Sequence, residues 1–310
     1  MLLKFFPTIF IVVSVNTLQD GLQLSTNDVV NLYSPLVRFH REELFFPDSA
    51  DYIFHLSTKH HCSNDYGICS SDVENDFEIK NWINIPNHLY PGNLTRAQVY
   101  VYRKPSSENT VDFVHFLFYP FNGPVYIKAG CGLIRVKNGR MFRIGLHEGD
   151  WEHFTLRINI QSGEPEMVFL SQHGGGYWVP YDQLDEDLYG RKIIYSAKYS
   201  HAFYHTKAKH HWCRPFEKNI LFCQMIADLV DETDQIDEER AFQPWLNFKE
   251  ISHNSTNVAA TFNGRWGRYE QLEEKLAFRD ISRISRGPTG PNLKTTWFGL
   301  DHEVKPLCKH

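Results

Sequence analysis

The chain has 310 residues, 42% hydrophobic and 15% aromatic, with 19 Gly and 15 Pro; this is a folded, loop-rich composition that excludes a disordered tail or a collagen-like rod. Its 32 basic and 37 acidic residues leave a formal charge of −5, which speaks against a protein built to coat nucleic acid. Sixteen His, 23 Phe, 15 Tyr and 7 Trp make a histidine-rich site with aromatic surroundings the feature to locate.

At the start, Lys4 precedes an apolar stretch over 5–15 that gives way to small and polar residues. The stretch is shorter than the roughly 20 apolar residues of a spanning helix. The pattern is that of a secretory signal peptide over 1–18, with 19–310 as one elaborated domain. An apolar first strand or helix of the fold is the alternative. No second run is long enough to span a bilayer, so no stable transmembrane segment is expected.

From Tyr33 onward come short runs of β character, including SPLVRFH, DYIFHLS and RAQVYVYR, the last alternating well. VDFVHFLFYP reads as an extended strand ending at Pro120, followed by a turn at Phe121-Asn122-Gly123-Pro124. WEHFTLRINI and EMVFLSQ are joined by Gln161-Ser162-Gly163-Glu164 as a hairpin or short crossover, and KIIYSAKYSHAFY follows. Such spacing predicts a mainly β protein, a β-sandwich core with long loops and a few peripheral helices. The helices are expected at 217–230, where apolar residues recur every three or four positions, and at YEQLEEKLAFRD. DETDQIDEER reads as a solvated face or loop, and GPTGP over 287–291 stops regular structure.

Six Cys, an even set, fit three disulfides and a secreted protein, with Cys62–Cys69 and Cys213–Cys223 as the local choices and Cys131–Cys308 left over. Sequence permits other pairings. The sequons Asn93-Leu94-Thr95 and Asn254-Ser255-Thr256 fit a glycoprotein.

Three clusters carry chemistry. GLHEGDWEHF places His147, Glu148, Asp150, Glu152 and His153 close together, with Gly149 permitting a bend. On a strand, Asp150, Glu152, Phe154 and Leu156 share one face, and Trp151 and His153 the other. Asp150 and Glu152 then point together, and His147 closes in from the turn; carboxylate oxygen and imidazole nitrogen form a first shell for a divalent ion. A turn whose carboxylates cap backbone donors is the competing reading. In SQHGGGYWVP, His173 leads into Gly174, Gly175 and Gly176, which let backbone approach a ligand, while Tyr177 and Trp178 offer apolar faces to a sugar or lipid headgroup. YSAKYSHAFYH adds Ser200, His201, Tyr204 and His205. Ser171 or Ser200 with His173 and Asp150 makes a hydrolytic triad on paper, without the G-x-S-x-G context.

The ordered set YSPLVRFHREELFFPDSADYIF, HFLFYPFNGP, GLHEGDWEHFTLRI, SQHGGGYW, YSAKYSHAFY and GPTGP resembles the eukaryotic family related to vacuolar protein sorting-associated protein sixty-two, over about 32–291. Members carry no secure biochemical function, so the resemblance implies no activity. More distantly, Gly145, His147, Asp150, Trp151 and Glu152, followed by His173, Gly174 and Gly175, are similar to the central motif of the necrosis- and ethylene-inducing peptide-like cytolysins. That resemblance implies a β-sandwich whose acidic and histidine residues organise a divalent cation beside a surface for plant sphingolipid headgroups. It puts Asn122 where another acidic ligand is expected, and Gly149 where a second histidine is expected.

The combined expectation is a secreted protein that binds a glycan or membrane lipid headgroup, cytolysin-like, with no nucleic-acid partner. Its metal residues are His147, Asp150, Glu152 and Asn122, holding Mg or Ca; its ligand residues are His173, Gly174, Gly175, Tyr177, Trp178 and His201. A metal-assisted hydrolase, with water activated by the ion, and an intracellular trafficking-related protein are the alternatives.

Overall fold

The structure is a computed structural model that describes residues 24–61, 79–130, 142–144, 146–173, 175–214, 226–276 and 279–294. Helix α1 (Thr26–Tyr33) leads into β1 (Leu36–His40), helix α2 (Ala50–Leu56) and strands β2 (Thr58–His61) and β3 (Asn81–Asn84). Then come β4 (Val99–Pro105), β5 (Thr110–Asn122), β6 (Val125–Gly130), β7 (Phe142–Ile144), β8 (His147–Asn159), β9 (Pro165–Gln172) and β10 (Gly175–Pro180). The remainder is β11 (Ile193–Ser196), β12 (Phe203–Tyr204), β13 (Lys209–Arg214), β14 (Ile226–Glu232), β15 (Ile236–Phe242), β16 (Phe248–Ile251), the single turn of helix α3 (Val258–Thr261), β17 (Tyr269–Leu276) and β18 (Arg279–Arg286). The expectation of a mainly β protein with few short helices holds. Among the described residues no helix is long and apolar enough to cross a membrane.

Two sheets position the site. One has the order β10-β9-β8-β5-β4-β16 and the other β12-β11-β1-β15. They contribute to a single apolar cluster: Val101, Leu117, Phe154 and Leu170 from the first, Phe39, Ile194, Phe203 and Phe242 from the second. The other face of the six-stranded sheet is also covered, because Tyr100, Phe116, Phe118 and Trp151 pack with Ile53 of α2, Ile83 of β3, Ala259 of α3 and Trp266. Each such ring contributes about 1.5–3 kcal/mol when fully buried.

Close backbone approach fixes this second layer. Gly149, inside β8, has φ +64, and a Cβ there would lie 1.6 Å from the Trp266 carbonyl oxygen. A Cβ at Gly267 would lie 2.1 Å from the Glu148 carbonyl oxygen, and one at Gly287 2.4 Å from the Gly267 nitrogen. Glu148, expected as a candidate ligand, is the buried staple of this junction. Its carboxylate accepts the Ile85 and Arg268 backbone N–H groups at 3.1 Å each and the Tyr90 hydroxyl at 2.8 Å, and it forms an ion pair with the Arg268 guanidinium, Nε 3.0 Å away.

Several expectations are corrected. DYIFHLS is helix α2 because Ser49 caps it, its side chain accepting from the Tyr52 N–H, and Ala50 and Ile53 are buried three positions apart on one face. The strand from Val111 runs past Pro120 to Asn122, paired with His147–Asn159 of β8. Within the expected helix 217–230, residues 226–230 belong to β14, which is paired on both sides, with β13 and β6; 217–225 lie outside the described residues. YEQLEEKLAFRD is not a helix. Its first eight residues form β17, paired along their whole length with β18, so strand pairing overrides the helix propensity of Glu, Leu and Lys.

The disulfide expectation is also corrected: among the described residues no disulfide bond is formed, and Cys213 stands on β13 opposite Asp228. Cys62, Cys69, Cys131, Cys223 and Cys308 lie outside the described residues, as do the expected signal peptide, Gly145 and Gly174.

Candidate functional site

Strand alternation builds the site. Phe154, Leu156 and Ile158 of β8 point into the apolar cluster shared by the two sheets, and Asp150 and Glu152 continue that face toward one end of it, each 8% exposed. The core therefore ends in two carboxylates. The second sheet answers with the β11–β12 turn, whose Tyr199 and His201 have φ +65 and +58. His173, at the end of β9, has φ +47, and these three are the left-handed non-glycine residues among those described. Such conformations cost about 1–3 kcal/mol each and persist where surrounding contacts hold them.

The contacts are specific. His201 Nδ1 lies 2.9 Å from Asp150 Oδ2, and its Nε2 lies 3.1 Å from the Phe45 carbonyl oxygen. The imidazole is stacked on Tyr119, with centroids 3.9 Å apart and planes at 10°. Burial works against charge on His201, but the Asp150 hydrogen bond and the charges of Glu43, Asp150 and Glu152 raise its pKa above the usual histidine value. Burial likewise works against charge on Asp150, yet His201 holds it below the usual carboxylate range. Glu43, which accepts the N–H groups of Leu44, Phe45 and Tyr199, is pushed up by burial.

Glu152 differs from its neighbour. Burial, and then the Asp150 charge, push its pKa up to about 7, opposed by the Ser171 hydroxyl that donates to it and by His173 and Lys294. A carboxyl whose folded pKa exceeds its unfolded value near 4.3 loses stability as pH rises from that value through about 7. Glu152→Gln keeps an acceptor for Ser171 and removes this loss. It is expected to gain about 3 kcal/mol over the native chain at pH 8 and little at pH 4 in urea melts; equal effects at both pH values would contradict the assignment.

A second network lies beside the first. Asp231, 1% exposed, holds His173 Nε2 at 2.6 Å, and accepts the Ser200 hydroxyl at 2.6 Å and the Tyr204 hydroxyl at 2.7 Å. Burial works against its ionisation, but the His173 charge and these three bonds lower its pKa, while Asp231 raises that of His173 against the same burial effect. The triad written on paper does not form as drawn. Ser200 donates to Asp231 and Ser171 to Glu152, so both hydroxyl protons go to carboxylates.

The remaining expected residues are dispersed. His147 has Nδ1 at 2.6 Å from the Gly149 carbonyl, and Asn122, its cross-strand partner, donates Nδ2 to the Gly123 carbonyl at 3.3 Å. Gly175 pairs with Gln172 at the β9–β10 hairpin. Tyr177 shares a hydrogen bond of 2.9 Å with His205 Nδ1, and Trp178 lies between Phe169 and the Arg157 guanidinium, itself paired with Asp112. Neither ring reaches the carboxylates through these contacts. Among the described residues no group of three His, Cys, Asp or Glu side chains is arranged to hold a metal ion.

Other residues take the places left open. Phe45, Phe121, Tyr90 and Tyr199, all partly exposed, form a continuous aromatic rim: Phe45–Tyr199 at 5.7 Å, Phe45–Phe121 at 4.9 Å and Tyr90–Phe121 stacked at 4.2 Å. The rim meets the carboxylates at His201, which bonds the Phe45 carbonyl. Half-buried Lys294, after the single helical turn Pro291–Leu293, lies within electrostatic reach of Asp150 and Glu152. Local patterns of sequence point to neither feature; only the LFF and FYPF aromatic runs flag part of the rim.

Vacuolar protein sorting-associated protein 62 of Saccharomyces cerevisiae is 25% identical over 237 residues, which is 71% of this chain and 45% of the yeast protein. The putative vacuolar protein sorting-associated protein TDA6 of the same yeast is 27% identical over 223 residues, 59% of this chain and 41% of its own. The chain thus spans less than half the length of these curated relatives. Among solved structures, Necrosis and Ethylene inducing Protein 2 from the causal agent of cocoa's Witches Broom disease matches 62% of this chain and 72% of its own at 13% identity and TM-score 0.31. NLPPya in complex with glucosamine matches 72% and 71% at 10% identity and TM-score 0.34. Likenesses at that level are distant and carry no functional inference. The model of the family described as Vacuolar protein sorting-associated protein 62 matches residues 19–211, well over half of the sequence, and this chain belongs to that family.

Proposed function

We propose that the chain is a secreted recognition protein of β-sandwich type that binds a polyhydroxylated headgroup, a glycan either free or carried on a lipid. The observation that carries this reading is the junction of the aromatic rim with the buried carboxylates at His201. A sugar ring has an apolar C–H face, which suits Phe45, Phe121 and Tyr199, and hydroxyls, which suit carboxylate acceptors. Left-handed backbone at Tyr199 and His201 presents both parts on one turn. Recognition in this form includes no bond-making step.

An array of soluble glycans and of glycolipid vesicles tests the reading and separates the two sources. Tyr199→Ala is expected to weaken binding to the best ligand about tenfold, while Trp178→Ala, on the far side of β10, leaves it within about twofold. Binding that survives Tyr199→Ala and fails with Trp178→Ala would move the site back to the glycine-rich segment.

A further inference from the structure

The loop from Leu184 to Lys192 presents a surface that headgroup recognition does not use. β1 and β11 run parallel, with Leu36 beside Ile193 and Phe39 beside Ser196. Phe45 and the Tyr199–His201 turn follow the C-terminal ends of these strands, and the loop enters β11 at the opposite end. Leu188 and Tyr189 stand at its tip, 99% and 94% exposed. Their backbone is held in place. Asp187 Oδ1 accepts the Tyr189 and Arg191 N–H groups at 2.9 and 2.8 Å, and the Asp187 N–H donates to the Arg191 carbonyl at 2.9 Å. Two large side chains displayed on an ordered turn lose little backbone freedom when they are buried by a partner.

The tip does not stand alone. The Arg191 guanidinium donates to the Leu32 carbonyl at 2.9 Å and the Asn31 carbonyl at 3.0 Å, and it lies 4.2 Å from the centre of the Trp245 ring. These contacts set Leu32 and Leu246, 58% and 72% exposed, beside the loop. A single exposed leucine is ordinary on a protein surface. Four large apolar side chains gathered at one end of a sheet mark a contact surface.

Charge selects the partner. Asp182, Asp185 and Glu186 are exposed and Asp187 is half-buried, while the two cations of the loop turn inward. Arg191 is held by the two carbonyls and the Trp245 face, and Lys192 by the Asp182 and Leu184 carbonyls at 3.2 Å each and by Glu186 at 2.7 Å. Four carboxylates against two cations leave a net double negative charge around the apolar tip. We propose that this end of the molecule docks a basic protein partner, whose apolar cleft takes Leu188 and Tyr189 while Lys and Arg on the rim of the cleft meet the acids. A bilayer suits the surface less, because the acids repel the anionic lipids that strengthen peripheral binding. The docking surface lies apart from the headgroup site and does not depend on it.

A displayed library of random peptides, selected on the full native chain and counter-selected on the double variant Leu188→Ser/Tyr189→Ser, tests the proposal. Both side chains project into solvent, so the double variant is expected to melt at the native temperature. The peptides that discriminate the two chains are expected to combine Lys or Arg with large apolar residues and to bind the native chain at least about tenfold tighter than the variant. Their binding is expected to weaken as salt rises. Asp182→Lys/Glu186→Lys, which keeps the apolar tip and reverses the charge, is expected to lose the same peptides. Selected peptides that bind the native chain and the double variant alike overturn the proposal, as do discriminating peptides without basic residues. Binding to phosphatidylcholine vesicles that the double variant abolishes would assign the tip to a membrane, and self-association in sedimentation that it abolishes would assign the tip to a second copy; either result also overturns the proposal.

Discussion

Gly149→Ala is expected to cost more than about 4 kcal/mol and to leave little folded protein at 37 °C. Two effects add. At φ +64 a side chain meets its own backbone, worth about 1–3 kcal/mol. The new Cβ would also lie 1.6 Å from the Trp266 carbonyl oxygen, a backbone atom that no rotamer change can move. Escape requires Trp266 to shift, and its ring packs with Phe54, Phe118, Trp151 and Phe262. Urea melts measure the effect, and a loss under about 1 kcal/mol would mean that β8 does not pass Trp266 this closely.

Asp231→Ala carries the second large effect, about 3–5 kcal/mol. It leaves Ser200 and Tyr204, both buried, without their acceptor, and His173 without its carboxylate. The pH profile distinguishes this role from generic packing. Asp231, with its pKa depressed in the fold, gives stability that is present above its unfolded pKa and lost as acid protonates it. His173, with its pKa raised, gives stability that is full below its unfolded pKa and lost as pH rises through the folded value. The pair therefore stabilises most between roughly pH 4 and 6.5. Asp231→Asn, nearly isosteric, should remove both limbs of that profile; a variant profile parallel to the native one would contradict the pairing.

What was legible in the sequence depended on the range of the interaction involved. Alternation along 150–156 is a local property, and it correctly put Asp150, Glu152, Phe154 and Leu156 on one face of a strand. The Gln161–Glu164 hairpin was equally local. His201 stood out as a residue but not as the partner of Asp150, because the contact joins opposite sheets across 51 positions. Asp231 was hidden by its surroundings: an acidic run reads as solvated, and the three groups that bury this member come from residues 173, 200 and 204. Helix α2 and the β17–β18 pair went astray in opposite directions. A capping serine turned a β-like string into a helix, and full pairing turned helix-forming residues into strands. Tyr177 and Trp178 were reasonable headgroup covers by type, yet their contacts are with His205, Phe169 and Arg157.

The account turns on His201 as the link between buried Asp150 and the Phe45 carbonyl on the aromatic rim. Nitrogen-15 NMR of the histidine side chains, with assignment confirmed by His201→Asn, measures this directly at neutral pH. The predicted result is a proton on both His201 ring nitrogens, each held in a hydrogen bond. A neutral ring with one nitrogen outside any hydrogen bond would contradict it.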